Sequence, residues 1–207
     1  MTSNPYSLVE LTTPQDDLLL PWLDLYETAF APCEKVLVSE HLKILREKAG
    51  GKAGNHHLLA VQDSRGAFAG MLRYQLLPEA GAAFLWYLAI EPRLRGTGLG
   101  SKVYRELLQR VDDGVIKALV FEVEIPELQD HEDGRQAARR RIEFYRRQGA
   151  RLMRGIDYLQ FVGSHQAPTP MHLMVHPLQE LTAAQAFALA KAVYQDALTQ
   201  VGEIGLE

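Results

Sequence analysis

The sequence predicts one α/β unit: a mixed, mostly antiparallel sheet flanked by helices, with a helix added at the C-terminal end. Three observations predict it. Two β-rich runs, Leu58 to Gln62 and Gly66 to Leu77, are separated by Asp63, Ser64, Arg65 and Gly66, residue types that form hairpin turns. An apolar run from Ala83 to Ile90, a glycine-rich turn, a helical stripe and a second apolar run from Ile116 to Ile125 form a strand–helix–strand crossover, the connection that parallel strands require. The 207 residues, 47% hydrophobic and 23% charged, suit one core.

Each element has its own local reason. Tyr6 to Leu11 alternates as a short strand, and Thr13-Pro14-Gln15-Asp16 places an N-cap residue before proline, so a helix is expected to start there. Leu19, Trp22, Leu23, Tyr26 and Phe30 continue it at helical spacing, with Pro21 predicting a break or restart near Leu20. Ser39 to Lys48 reads as a second helix with Leu42 and Leu45 inward. Leu99, Val103, Leu107 and Val111 stripe a third, and Ala138, Ile142 and Tyr145 a fourth spanning Arg135 to Gln148. Extended segments follow near Leu152, from Tyr158 to Val162 and from His172 to Val175, with a linker at His165 to Pro170. Thr182 and Gln185 form a capping box for a last helix that runs through Val201 and stops at Gly202, docked on the domain or forming a homodimer.

Composition excludes several classes. Twenty-two basic against 26 acidic residues give a net charge of −4, which argues against a nucleic-acid binder. One cysteine, Cys33, precludes an internal disulfide framework and a CxxC metal site. The opening residues have neither the basic nor the apolar region of a signal peptide, and no uncharged run suits a bilayer span, so a cytoplasmic protein without a membrane segment is expected. No metal is expected: His172 and His176 lack an acidic third ligand, and His56 and His57 read as an exposed polar turn.

The chemistry concentrates between Ile90 and Ser101. Gly96, Gly98 and Gly100 let the chain turn tightly and bring backbone N–H groups to an anion at the positive end of the next helix. The Walker A pattern is absent, and the GxGxG spacing departs from the dinucleotide fingerprint. The order Arg95-Gly96-Thr97-Gly98-Leu99-Gly100 resembles motif A of the GNAT superfamily of acetyl-CoA-dependent N-acetyltransferases. The strand Leu119 to Glu124 and the helix carrying Tyr145, four residues before Gly149, resemble its motif B. The resemblance covers about residues 6 to 162, which gives a GNAT-like domain over 1–164 and a C-terminal strand and helix over 165–207 packed on the same domain. Three positions depart from the pattern: Ala138 stands where asparagine is frequent, Gly149 is followed by Ala150 rather than phenylalanine, and Pro126 to Gly134 lengthens the loop before the helix.

The resemblance implies transfer of an acetyl group from acetyl-CoA, a cosubstrate, to the primary amine of a small molecule. Backbone groups of Leu88, Ala89 and Ile90 would hold the pantetheine arm, and Arg95, Gly96, Thr97, Gly98, Leu99, Gly100 and Ser101 the pyrophosphate. Tyr145 would protonate the departing thiolate, and Glu124 would take the amine's proton. Transfer of another acyl group and a non-catalytic acyl-CoA-binding module are the rivals. Tyr145 also fits a packing role, and Glu122 and Glu124 share one strand face opposite Phe121 and Val123. Eight arginines against one glutamate between Arg135 and Arg154 form a basic patch suited to steering phosphates. Six acidic residues without a basic one lie in residues 1–34, and six more between Glu122 and Asp133, so Glu34, Glu122 and Glu124 are expected to favour a cationic acceptor.

Overall fold

The structure is a computed structural model that describes residues 6–161 and 167–207. Its strands are β1 (Tyr6–Glu10), β2 (His56–Asp63), β3 (Phe68–Leu77), β4 (Ala82–Ile90), β5 (Ala118–Glu124), β6 (Arg151–Gln160), β7 (Thr169–Pro177) and β8 (Leu198–Leu206). Its helices are α1 (Leu19–Ala29), α2 (Val38–Ala49), α3 (Leu99–Val111), α4 (Glu132–Arg147) and α5 (Ala183–Tyr194). Hydrogen bonding orders the eight strands β1-β2-β3-β4-β5-β7-β6-β8, a mixed and mostly antiparallel sheet as the sequence predicts. By contact density the chain divides into two units, Met1–Gln75 with Leu85–Leu107, and Leu76–Phe84 with Leu108–Glu207, so β4 contributes its start to one and its end to the other.

In the first unit the expected hairpin joins β2 and β3, and α1 and α2 cover Leu58, Ala60, Met71, Tyr87 and Ala89 with Trp22, Leu25, Tyr26 and Leu45. Helix α1 starts at Leu19, not near Thr13. The Asp16 carboxylate instead accepts from the N–H groups of Thr12 and Thr13, closing a local turn that competes with helix. Pro21 then falls in the first helical turn, where its missing N–H leaves no bond unmade. His56 and His57 are strand residues rather than an exposed turn: the His57 ring stacks on Tyr74 at 4.7 Å and its Nδ1 lies 2.8 Å from Glu10.

In the second unit β5 runs parallel to β4 over Ala82↔Ala118 to Phe84↔Val120 and antiparallel to β7 along its whole length. The extended segments expected near Leu152 and Tyr158 are one strand, β6; Val162 lies outside the described residues. So do His165 and Gln166 of the expected linker, while its last residues, Thr169 and Pro170, already pair in β7. The last helix also stops early. Gln195 takes φ 48, Lys191 Nζ donates to the carbonyls of Gln195 and Leu198, and the chain returns as β8 against β6. The apolar spacing that suggested helix through Val201 is not buried there, since Val201 is 60% exposed, and pairing with β6 gives the backbone a better partner than another helical turn. The capping box of Thr182 and Gln185 forms, and α5 buries Ala186 and Ala190 within its own unit. Among the described residues no helix is long and apolar enough to cross a membrane.

Candidate active site

The glycine turn lies in the first unit. After β4, a helical turn at Pro92–Leu94 leads through Arg95 to Gly96 and Gly98, whose φ values are 78° and 81°, and α3 begins at Leu99. A Cβ at either glycine would meet nothing within 4 Å, so the backbone conformation rather than crowding requires glycine there. Arg95, Gly96, Thr97 and Gly98 are exposed, Leu99, Gly100 and Ser101 half-buried. The Arg95 side chain donates to the Ile90 carbonyl at 3.1 Å and the Thr97 hydroxyl to the Leu94 carbonyl at 2.7 Å, bracing the turn from both sides. The result is an open loop of main-chain groups at the positive end of a 13-residue helix, a geometry that receives anions. On β4, Leu88 and Ile90 are half-buried and Ala89 is buried. Glu34 ends the turn Pro32–Glu34, which also holds Cys33, and its carbonyl accepts from the Tyr87 hydroxyl at 2.9 Å.

The other expected groups lie in the second unit. Tyr145 is buried on α4 with its ring 4.4 Å from Phe121, so packing and chemistry are compatible in one residue. Burial pushes its phenol up to about 12, which keeps it protonated throughout neutral pH. Glu124 pairs with Arg141 of α4. Glu122 is treated differently. The Tyr158 hydroxyl donates to one of its oxygens and the Gln160 amide to the other, yet burial outweighs both bonds and pushes the carboxyl up to about 7. Around it stand Tyr194, 4.7 Å from the Tyr158 ring, with its own hydroxyl buried and unpartnered, and Phe84, 5.6 Å from Tyr194. Two neighbouring carboxylates on one strand face thus have distinct chemistry, one locked to arginine and one able to trade a proton near neutrality.

The basic patch is partly consumed by ion pairs: Arg135 with Glu132, Arg141 with Glu124, Arg146 with Glu143, and Arg154 with Glu207. His172 and His176 sit on β7, and no group of three or more potential metal ligands occurs among the described residues. Sequence reasoning missed the partners of Glu122 and also His41 and Arg73, buried polar side chains of α2 and β3 in the first unit. The signal for Arg73 was present, as the one charged residue of β3, in phase with the inward Met71.

Residues 20–150 match the family model described as acetyltransferase (GNAT) family. The chain belongs to that family and is an N-acetyltransferase, using acyl-CoA as the donor toward an amine. Among solved structures, a protein of Bacteroides thetaiotaomicron assigned to the GNAT acetyltransferases is 26% identical, with a TM-score of 0.67 over 91% of this chain and 98% of that one. The dodecameric spermidine N-acetyltransferase of Vibrio cholerae has a TM-score of 0.58 at 11% identity over 84% of this chain and 94% of that one. The Escherichia coli ribosomal-protein-S18-alanine N-acetyltransferase has a TM-score of 0.55 at 14% identity, over 86% and 96%. No curated protein matches the sequence significantly.

Proposed function

We propose that the chain transfers an acetyl group from acetyl-CoA to the primary amine of a small-molecule acceptor by direct attack on the thioester. The observation that carries this reading is the open turn of Gly96 and Gly98 at the start of α3, which suits the pyrophosphate, with Leu88 to Ile90 available for the pantetheine arm. The amine must shed its proton before it attacks. Glu122 suits that task better than Glu124, because its carboxyl is pushed up to about 7, closer to an ammonium near 10, and it is not occupied by an ion pair as Glu124 is with Arg141. As the C–N bond forms and the C–S bond breaks, the thiolate takes the Tyr145 proton and the nitrogen gives up its surplus proton, which solvent returns to the Tyr145 phenolate, leaving an amide and free CoA thiol.

The test is turnover of acetyl-CoA across an amine library, read as thiol release, together with melting in CoA, NAD and ATP. A rise in Tm with CoA compounds and thiol release with an amine are expected. Stabilisation by a dinucleotide and not by CoA would defeat the reading, and CoA binding without turnover on any amine would reduce the protein to a binding module.

A further inference from the structure

The first unit buries a guanidinium that no carboxylate touches, the charge of Glu40 acting on it without forming an ion pair. Arg73 is 3% exposed, and among the described residues no carboxylate pairs with it. Its Nη1 donates to His41 Nδ1 at 3.1 Å, its plane lies over the Trp86 ring at 4.4 Å, and Gln75 fixes that ring by accepting from Trp86 Nε1 at 3.2 Å. A guanidinium only donates, so His41 Nδ1 is the acceptor and the proton of neutral His41 rests on Nε2. Arg73 Nε and His41 Nε2 are both buried without a partner. Both orphans are donors. What is missing is therefore an acceptor.

Leaving a buried charge uncompensated costs several kcal/mol. Burial lowers the Arg73 pKa only to about 10, so it stays charged at neutral pH, while His41 falls to about 3 and stays neutral. The cluster thus carries one positive charge. That suits a monoanion with a flat face, which an arginine binds through two parallel hydrogen bonds, better than a phosphate, which calls for several cations or a row of backbone N–H groups.

We propose that Arg73 binds the carboxylate of an acceptor that carries both an amine and a carboxylate. This rests on the acetyl-transfer reading for the identity of the ligand as acceptor. Trp86 and His41 position the guanidinium, and bidentate contact through the Nε edge replaces the absent counter-ion.

Three acceptors test it: an aromatic amino acid, the arylalkylamine that lacks only its carboxylate, and a polyamine. Their N-acetyl forms are added to the protein without CoA, and melting is followed. The free amines are then assayed with acetyl-CoA. The carboxylated member of the pair is expected to raise Tm alone and to show a KM at least tenfold below that of its decarboxylated partner. Arg73→Lys, which keeps the charge and loses the fork, should bring the kcat/KM ratio of the pair toward one. The wild-type comparison decides the matter even if the variant fails to fold. Equal responses within the pair, a preference for the polyamine, or a ratio unchanged in Arg73→Lys overturns the carboxylate site. Turnover without carboxylate preference leaves acetyl transfer standing; carboxylate binding without turnover on any amine defeats acetyl transfer and retains the site.

Discussion

Replacing Glu122 by glutamine isolates one proton. The carboxyl titrates near 7 when folded against an ordinary value of 4.5, because burial disfavours its charge more than Tyr158 and Gln160 support it. A group whose folded pKa is raised stabilises the fold fully below its unfolded pKa and loses that contribution as pH climbs through the folded value. At 1.36 kcal/mol per pH interval, ionising Glu122 costs about 3 kcal/mol between pH 4.5 and 7, after which the loss is complete. Glutamine keeps the shape and carries no charge. The Tyr158 hydroxyl can still donate to its oxygen, and Gln160 Oε1, buried and unpartnered, can accept from its nitrogen once the Gln160 amide turns over. Denaturant unfolding of both proteins from pH 4.5 to 8.5 should show Glu122→Gln gaining on the wild type through this interval and levelling at about 3 kcal/mol. For a chain of this size that gap corresponds to a Tm difference of about 6–12 °C at pH 8. The same variant should lose the acidic limb of the kcat/KM profile. A stability difference that stays constant from pH 4.5 to 8.5 would refute the argument, because it would mean that Glu122 titrates alike folded and unfolded.

Tyr145→Phe keeps the ring against Phe121 and removes the proton donor, so kcat should fall at least tenfold while acetyl-CoA binding and Tm change little; unchanged kcat when chemistry is rate-limiting returns the residue to packing. Gly70→Ala should lose about 2 kcal/mol or more in denaturant melts, because a Cβ there would stand 2.6 Å from the Ala89 carbonyl and 2.9 Å from Ile90 Cδ1; a neutral effect would show that β4 can shift away.

The elements legible in the sequence are those whose cause is local. β-rich composition marked β2 and β3, turn chemistry marked their hairpin, the glycines before Leu99 marked a backbone path that few other residues adopt, and Thr182 with Gln185 marked a helix start. In each, residues within a few positions carry both the signal and the energy. The misread elements are those in which another partner, distant for Val201 and only three residues away for Thr13, outbids the predicted one. Val201 reads as helical until β6 offers its edge, and Thr13 reads as a cap until Asp16 turns back on it. The site divides the same way. Arg95, Gly96, Gly98 and Tyr145 could be proposed from the sequence because they fall in short local motifs. Glu122 was named but not its protonation, which depends on Tyr158 and Gln160, 36 and 38 residues away, and Arg73 was not named at all. Charge state is decided by desolvation and by which donors and acceptors the packing brings within 3 Å, and no residue carries that information until the chain has folded around it.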